Sequence, residues 1–217
     1  NYYAFIIAGG EPLARVGDEG KPVITAGSDR FISVYDKIVS LFSKKDMTIM
    51  EYQGETFMAG RALLCGQVLA CVRLFRPMED DFGIIPMPKY DEAQERYYAY
   101  VIPYDIFSSS VPITVKDPSV SGSVLQALAI LSAYYITPAY YDITITGKGL
   151  RDEESAEMLD IILASTVYDL ARMYDWGGLA SGIIGNIGAG KEFSSFYAKR
   201  EKATLNALNK TLEAFEA

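Results

Sequence analysis

Across Gly185–Glu192 the sequence reads GNIGAGKE, the G-x-x-x-x-G-K spacing of a phosphate-binding loop up to its last position. There Glu192 stands where a serine or threonine hydroxyl would hold Mg²⁺, and a carboxylate at that point repels phosphate oxygens. No strand ending in an acidic pair supplies a second metal ligand. The stretch therefore reads as a glycine-rich loop before the last helix, with Lys191 in that helix's first turn. Asp80-Asp81 and Asp91-Glu92 are the carboxylates that would serve glycoside hydrolysis as an acid/base pair, with Asp81 and Glu92 as the two groups. Adjacency in sequence does not set the separation such chemistry needs, and Asp81 before an apolar segment reads first as a turn residue. Ser108, Ser109 and Ser110 lie in a row without a nucleophile elbow around them.

None of the 217 residues is histidine. That excludes an imidazole base, Ser-His-Asp and Cys-His catalysis, and zinc sites built on histidine. Cys65 and Cys71 are six apart, which on a helix sets them about 240° apart. On one strand their sulfurs are too distant to bond, and no further soft ligand accompanies them. They read as two buried thiols not joined to each other. No cofactor and no metal follow from these residues.

Tyrosine is the more informative excess, at sixteen residues. Tyr97, Tyr98, Tyr100 and Tyr104 crowd one segment, and Tyr174 and the only tryptophan, Trp176, sit where a helix breaks into glycines. Aromatic faces with a polar tip suit stacking on sugar rings and hydrogen bonding to their hydroxyls. Tyr100 and Trp176 stand equally as a stacking surface or as packing aromatics, while the others read first as packing. Asn209-Lys210-Thr211 spells a glycosylation sequon but falls inside the expected last helix.

The elements that would position these groups follow from punctuation and periodicity. Tyr2–Ala8 is an apolar run ending in Gly9-Gly10, and residues 18–22 read as a turn. Ser28 caps a helix carrying Phe31, Ile32, Tyr35, Ile38, Val39 and Phe42. A short helix is expected over Tyr52–Met58, stopping at Gly60. A buried strand is expected over 61–65, a helix over Gln67–Phe75 ended by Pro77, and a strand over Phe82–Met87. Tyr97–Tyr104 and Phe107–Val115 are expected to be extended. Asp117-Pro118 opens a helix to about Tyr135, and Pro138 opposes its simple continuation. Asp152-Glu153-Glu154 starts a helix carrying Met158, Leu159, Ile162, Leu163, Val167 and Leu170. Glycines 177, 178, 182, 185, 188 and 190 mark the one flexible stretch, and a final helix spans about Phe193–Phe215. Short strands alternating with helices indicate an α/β class.

Composition narrows the partners. With 28 acidic against 20 basic residues, a formal charge of −8 and half of the chain apolar, the sequence is globular. It makes nucleic acid or an anionic membrane an unsuitable partner and favours a neutral or cationic ligand. The length suits one domain or somewhat more. The chain opens on Asn1 with no signal-peptide pattern, and its longest apolar run, Val124–Ile136, is too short to span a bilayer.

Laid end to end, several strings resemble one family. They are Ala8-Gly9-Gly10, FMAGRALL at 57–64, VRLFRPMEDDFGIIPMPKYDEAQERYY at 72–98, VPITVKDP at 111–118 and LRDEESAEMLDII at 150–162. The order is similar to the C-terminal half of the extracellular solute-binding proteins (family 1) of ABC importers. The resemblance implies a type II periplasmic-binding-protein-like fold of two α/β lobes closing by a hinge. Only its C-terminal portion would be present, most of the first lobe lying upstream of Asn1. Residues 1–98 would be second-lobe material, 99–139 a crossing segment with part of the first lobe, and 140–217 helices mostly of the second lobe. It further implies a non-enzymatic receptor that captures a small solute, most readily a carbohydrate, and hands it to ABC permease subunits. The location implied is the cell surface, through a lipid anchor outside this chain. Its ligand lies between lobes, which singles out Tyr100, Tyr104, Tyr174 and Trp176, the last as a stacking ring. Pro103 and Asp105 stand where small or hydroxyl residues are expected, which leaves the particular sugar open. The alternatives are a carboxylate-dependent glycoside hydrolase and an interaction domain, dimerising through apolar surface.

Overall fold

The computed structural model describes residues 2–49, 51, 53–105, 109–140 and 153–216. Helix accounts for 57 % of the structure and strands are few, so the chain is α-rich. It divides into two compact units. The first takes in Asn1–Tyr52, Pro86–Asp105 and Asp160–Ala217, the second Gln53–Ile85 and Ile106–Leu159.

In the first unit the apolar run Tyr2–Ala8 is a helix that buries Tyr3, Ile6, Ile7 and Ala8. Gly10, at φ +80°, closes it in the left-handed conformation that glycine adopts without strain. Its N–H reaches the Ile7 carbonyl at 2.8 Å, and Glu11 N–H reaches Ile6 at 3.3 Å, so the helix-end carbonyls are satisfied. Strands Ala14–Val16 and Pro22–Ile24 pair antiparallel, Ala14 facing Ile24 and Val16 facing Pro22, around the expected turn. Ser28 caps helix Asp29–Ser43 as its position predicts, its Oγ accepting the Phe31 N–H at 3.0 Å. That helix buries Phe31, Val34, Tyr35 and Ile38, one face at i, i+3, i+4 and i+7.

Strands Ala99–Tyr100 and Thr166–Val167 pair in parallel. Only these two residues of the extended stretch expected over Tyr97–Tyr104 enter a sheet. Pro103 has no N–H to give a ladder, and Pro103–Asp105 turns as a 3₁₀ helix. Helix Leu170–Tyr174 follows, capped by Asp169, whose side chain accepts the Ala171 N–H. The glycine-rich stretch is corrected from flexible to helical. Trp176–Gly178 forms a 3₁₀ turn and Leu179–Gly188 a helix burying Leu179, Ala180, Ile183 and Ile187. Close approach explains two of these glycines. A Cβ on Gly177, at φ +61°, would lie 2.7 Å from the Thr204 backbone nitrogen, and one on Gly182 2.7 Å from the Phe196 ring. The last helix spans Phe193–Glu216, so Lys191 precedes it and is not in its first turn. These helices share one core with Tyr3, Leu13, Phe31 and Trp176.

The second unit begins with Gly54 (φ +77°) and helix Glu55–Met58, shorter than expected and followed by Gly60 at φ +66°. The strand expected over 61–65 is not formed: those residues are irregular and mostly exposed, and among the described residues no strand pairs with them. The helix expected over Gln67–Phe75 is reduced to a 3₁₀ turn, Leu69–Cys71, and the helical turn Val72–Phe75 before Pro77. Phe82–Met87 is not a strand either. Phe82 instead meets Phe57 and Phe75 edge-on, at centroid distances of 6.2 and 5.7 Å, and so serves a small aromatic core. Residues 109–115 carry no strand, Pro112 and Val115 closing a turn; Phe107 and Ser108 lie outside the described residues. No disulfide joins Cys65 to Cys71, and both are half-exposed rather than buried.

Asp117 caps helix Pro118–Leu131, with proline in its first turn as predicted. Past Leu131 the chain does not stop before Pro138. A π turn over Ser132–Ile136 widens the helix where the proline ring would crowd the Tyr134 carbonyl, and the helix runs to Tyr140. At 23 residues it is long and apolar enough, by length and composition alone, to cross a bilayer, and none of its most apolar window is buried. Helix Glu153–Ala164 begins in this unit, where Ser155 and Leu159 are buried. Asp152, expected at its start, lies outside the described residues, and the helix stops at Ala164, so Val167 and Leu170, expected on it, belong instead to strand Thr166–Val167 and helix Leu170–Tyr174.

Candidate functional site

The four sequence-predicted binding aromatics all fall in the first unit, on two segments. Tyr100 ends its strand, and Tyr104 lies in the 3₁₀ turn four residues on. Tyr174 ends helix Leu170–Tyr174, and Trp176 opens the turn after it. Asp175 between them takes φ +45°, a left-handed conformation held in place because its carboxylate accepts the N–H and hydroxyl of Ser181 at 3.0 and 2.6 Å.

Tyr174 and Trp176 stack parallel, 5.2 Å apart and 4° from coplanar. The indole is only 3 % exposed and gives its N–H to Thr211 Oγ1 at 2.9 Å; Tyr174 is 47 % exposed. In this conformation the accessible ring of the pair is therefore Tyr174, with Trp176 fixed beneath it. Thr211 belongs to the sequon Asn209–Thr211, which lies within the last helix as expected.

Tyr100 packs at 5.1 Å from the Tyr3 ring, and Tyr104, 72 % exposed, carries the Arg172 guanidinium 5.0 Å above its face. The same guanidinium lies 5.8 Å from the Tyr3 ring. Beneath them Asp169 is fully buried. Its Oδ2 accepts the Tyr3 hydroxyl and the Leu13 N–H, both at 2.7 Å, and Oδ1 accepts the Ala171 N–H at 2.9 Å. Burial pushes the Asp169 carboxyl above the usual carboxylate range, although these donors favour its charged form. Burial, reinforced by Asp169, likewise holds the Tyr3 phenol well above its ordinary value. Tyr100 is also raised by burial, which outweighs the neighbouring Arg172. The Tyr100 hydroxyl and Arg172 Nε are buried, and neither makes a hydrogen bond of proper geometry.

Sequence reasoning missed Tyr3, Asp169 and Arg172. Asp169 had a readable signal, a carboxylate just before an apolar helix. Its bonds to Tyr3 and Leu13 cross more than 150 residues and leave no local trace.

The other candidates are placed elsewhere. Asp81 is an exposed residue of the second unit, and Glu92 an exposed residue of the first. Asp91 is committed to Arg30 at 2.9 Å, which holds its carboxyl below the ordinary range. Gly185–Gly188 form the last turn of a helix, so the GNIGAGKE segment offers a helix C-terminus, whose partial charge repels phosphate. Among the described residues no three cysteine, aspartate or glutamate side chains gather as a metal site needs. Two shallow clefts open on the first unit. One of about 260 Å³ is lined by Gly10, Glu11, Arg15, Arg30 and Arg96, and one of about 380 Å³ lies along residues 95–98 and 164–167. Neither includes the four aromatics.

No protein-family model matches the chain, and no curated protein or solved structure is significantly similar to it.

Proposed function

We propose that the chain is the solute-capturing C-terminal portion of an extracellular solute-binding protein (family 1) of an ABC importer, with a type II periplasmic-binding-protein-like fold. In this reading it captures a carbohydrate by hinge closure, passes it to the permease subunits and makes or breaks no bond. The observation that carries the proposal is the pair of aromatic segments in one unit, Tyr100–Tyr104 and Tyr174–Trp176, joined through Arg172 over Tyr104. Rigid rings with polar tips beside a cation suit stacking on a sugar face and hydrogen bonding at its rim. The uncovered apolar helix Pro118–Tyr140 supports the same reading, in which it is one wall of a lobe completed by further chain.

Calorimetric titration tests this against a panel of oligosaccharides, with a tripeptide and divalent cations as counter-probes. An oligosaccharide is expected to bind, with Y104A and Y174A each weakening it about tenfold, the worth of a lost stacking contact. Binding of the peptide or a cation with no oligosaccharide bound would overturn it.

A further inference from the structure

Arg172 is a cation without a counter-charge. The ion pairs Arg15–Glu11, Lys21–Glu216 and Arg30–Asp91 do not include it. Of the two carboxylates nearest in sequence, Asp169 has its oxygens engaged by the Tyr3 hydroxyl and the Leu13 and Ala171 N–H groups. Asp175 is spent on Ser181. A half-buried guanidinium in such surroundings has lost part of its hydration with no anion to replace it.

Its placement is that of a ligand-holding group. The guanidinium lies over the face of Tyr104, which fixes its plane; Nε is buried, and the pair of terminal Nη groups is the fork left for a planar acceptor. A carboxylate is the acceptor that fork matches, through two parallel charge-assisted hydrogen bonds. Resting on the solute-binding reading above, we infer that the solute carries an anionic group, a carboxylate of the uronic-acid type, and that Arg172 receives it.

Whole-chain charge does not oppose this. The net charge of −8 favours neutral or cationic ligands at long range, but at physiological ionic strength charges farther than about 8 Å are largely screened. At contact, the sign of the nearest uncompensated group decides, and here that group is positive.

The experiment displays the biotinylated full chain on streptavidin, so that weak sites add, over an array of neutral and uronate-containing oligosaccharides. Its variants are R172Q and R172K. Uronate-containing sugars are expected to be held about tenfold better than their neutral counterparts, the preference falling as salt rises. R172Q should erase the preference, so that acidic and neutral sugars are held alike. R172K, with charge but no fork, should keep only part of it. Thermal melts of both variants confirm that they fold. Neutral sugars bound as well as acidic ones, with R172Q unchanged, would overturn the anionic assignment and leave the carbohydrate reading standing. Retention of no sugar of either kind would remove both.

Discussion

At the residue scale the site rests on a buried carboxylate rather than on the exposed rings that advertise it. Asp169 ties the first helix, through Tyr3, and the Leu13 backbone to the start of helix Leu170–Tyr174, and so fixes the turn from which Arg172 and Tyr174 project. Y3F removes one hydrogen bond to that charge and should cost about 1.5–3 kcal/mol. Urea unfolding should show a lower midpoint at unchanged slope. An unchanged midpoint would contradict the assignment. The pH dependence has a definite sign. Because burial raises Asp169 in the folded state, the native chain keeps this proton to higher pH than the unfolded chain does. The associated stability is full below the ordinary carboxylate range and is lost as pH rises through the raised value. Measured against D169N across that window, the wild-type chain should lose stability relative to the variant as pH rises; a wild-type chain that gains stability relative to D169N as pH rises would refute it. Only the capping place of Asp169 before Leu170 was legible in the sequence; Tyr3 reads as part of an apolar run, and its partner lies 166 positions away.

At the scale of elements, what is decided locally was readable and what is decided at a distance was not. Ser28 before an apolar stripe, Asp117 before Pro118, and the long final helix each follow from neighbours in sequence, and the structure holds all three. Residues 61–65 and 82–87 have strand-like composition, but a strand needs a partner to take its backbone bonds, and among the described residues none pairs with them. The glycines misled for a related reason. Their abundance reads as flexibility, whereas Gly177 is required by the passage of the last helix and Gly182 by Phe196. Two substitutions separate these roles. G177A forces a positive-φ alanine into the Thr204 backbone and should destabilise by about 2 kcal/mol or more. G185A, exposed within a helix with open space at its Cβ, should stabilise by about 0.5–1 kcal/mol. Thermal melts showing equal effects would mean the stretch is a loose loop after all.

At the scale of the molecule, the composition read correctly as a folded, core-forming chain, yet an α/β balance was expected and an α-rich one is found. The largest feature left unmatched within it is helix Pro118–Tyr140, apolar, free of charged residues and uncovered. Exposed patches of this size bind other apolar surfaces. The isolated chain should therefore enhance the fluorescence of 8-anilinonaphthalene-1-sulfonate, and V124Q/L128Q/L131Q should reduce that signal. A chain that leaves the dye dark would show that the helix is covered in solution. For capture of a carbohydrate by the aromatic segments, the most direct measurement is backbone amide chemical-shift mapping of the chain with its best-bound oligosaccharide. The account predicts shifts concentrated at residues 99–105 and 170–178. Shifts confined instead to the arginine-lined cleft of Gly10, Arg15 and Arg96, or absent at saturating sugar, would contradict it.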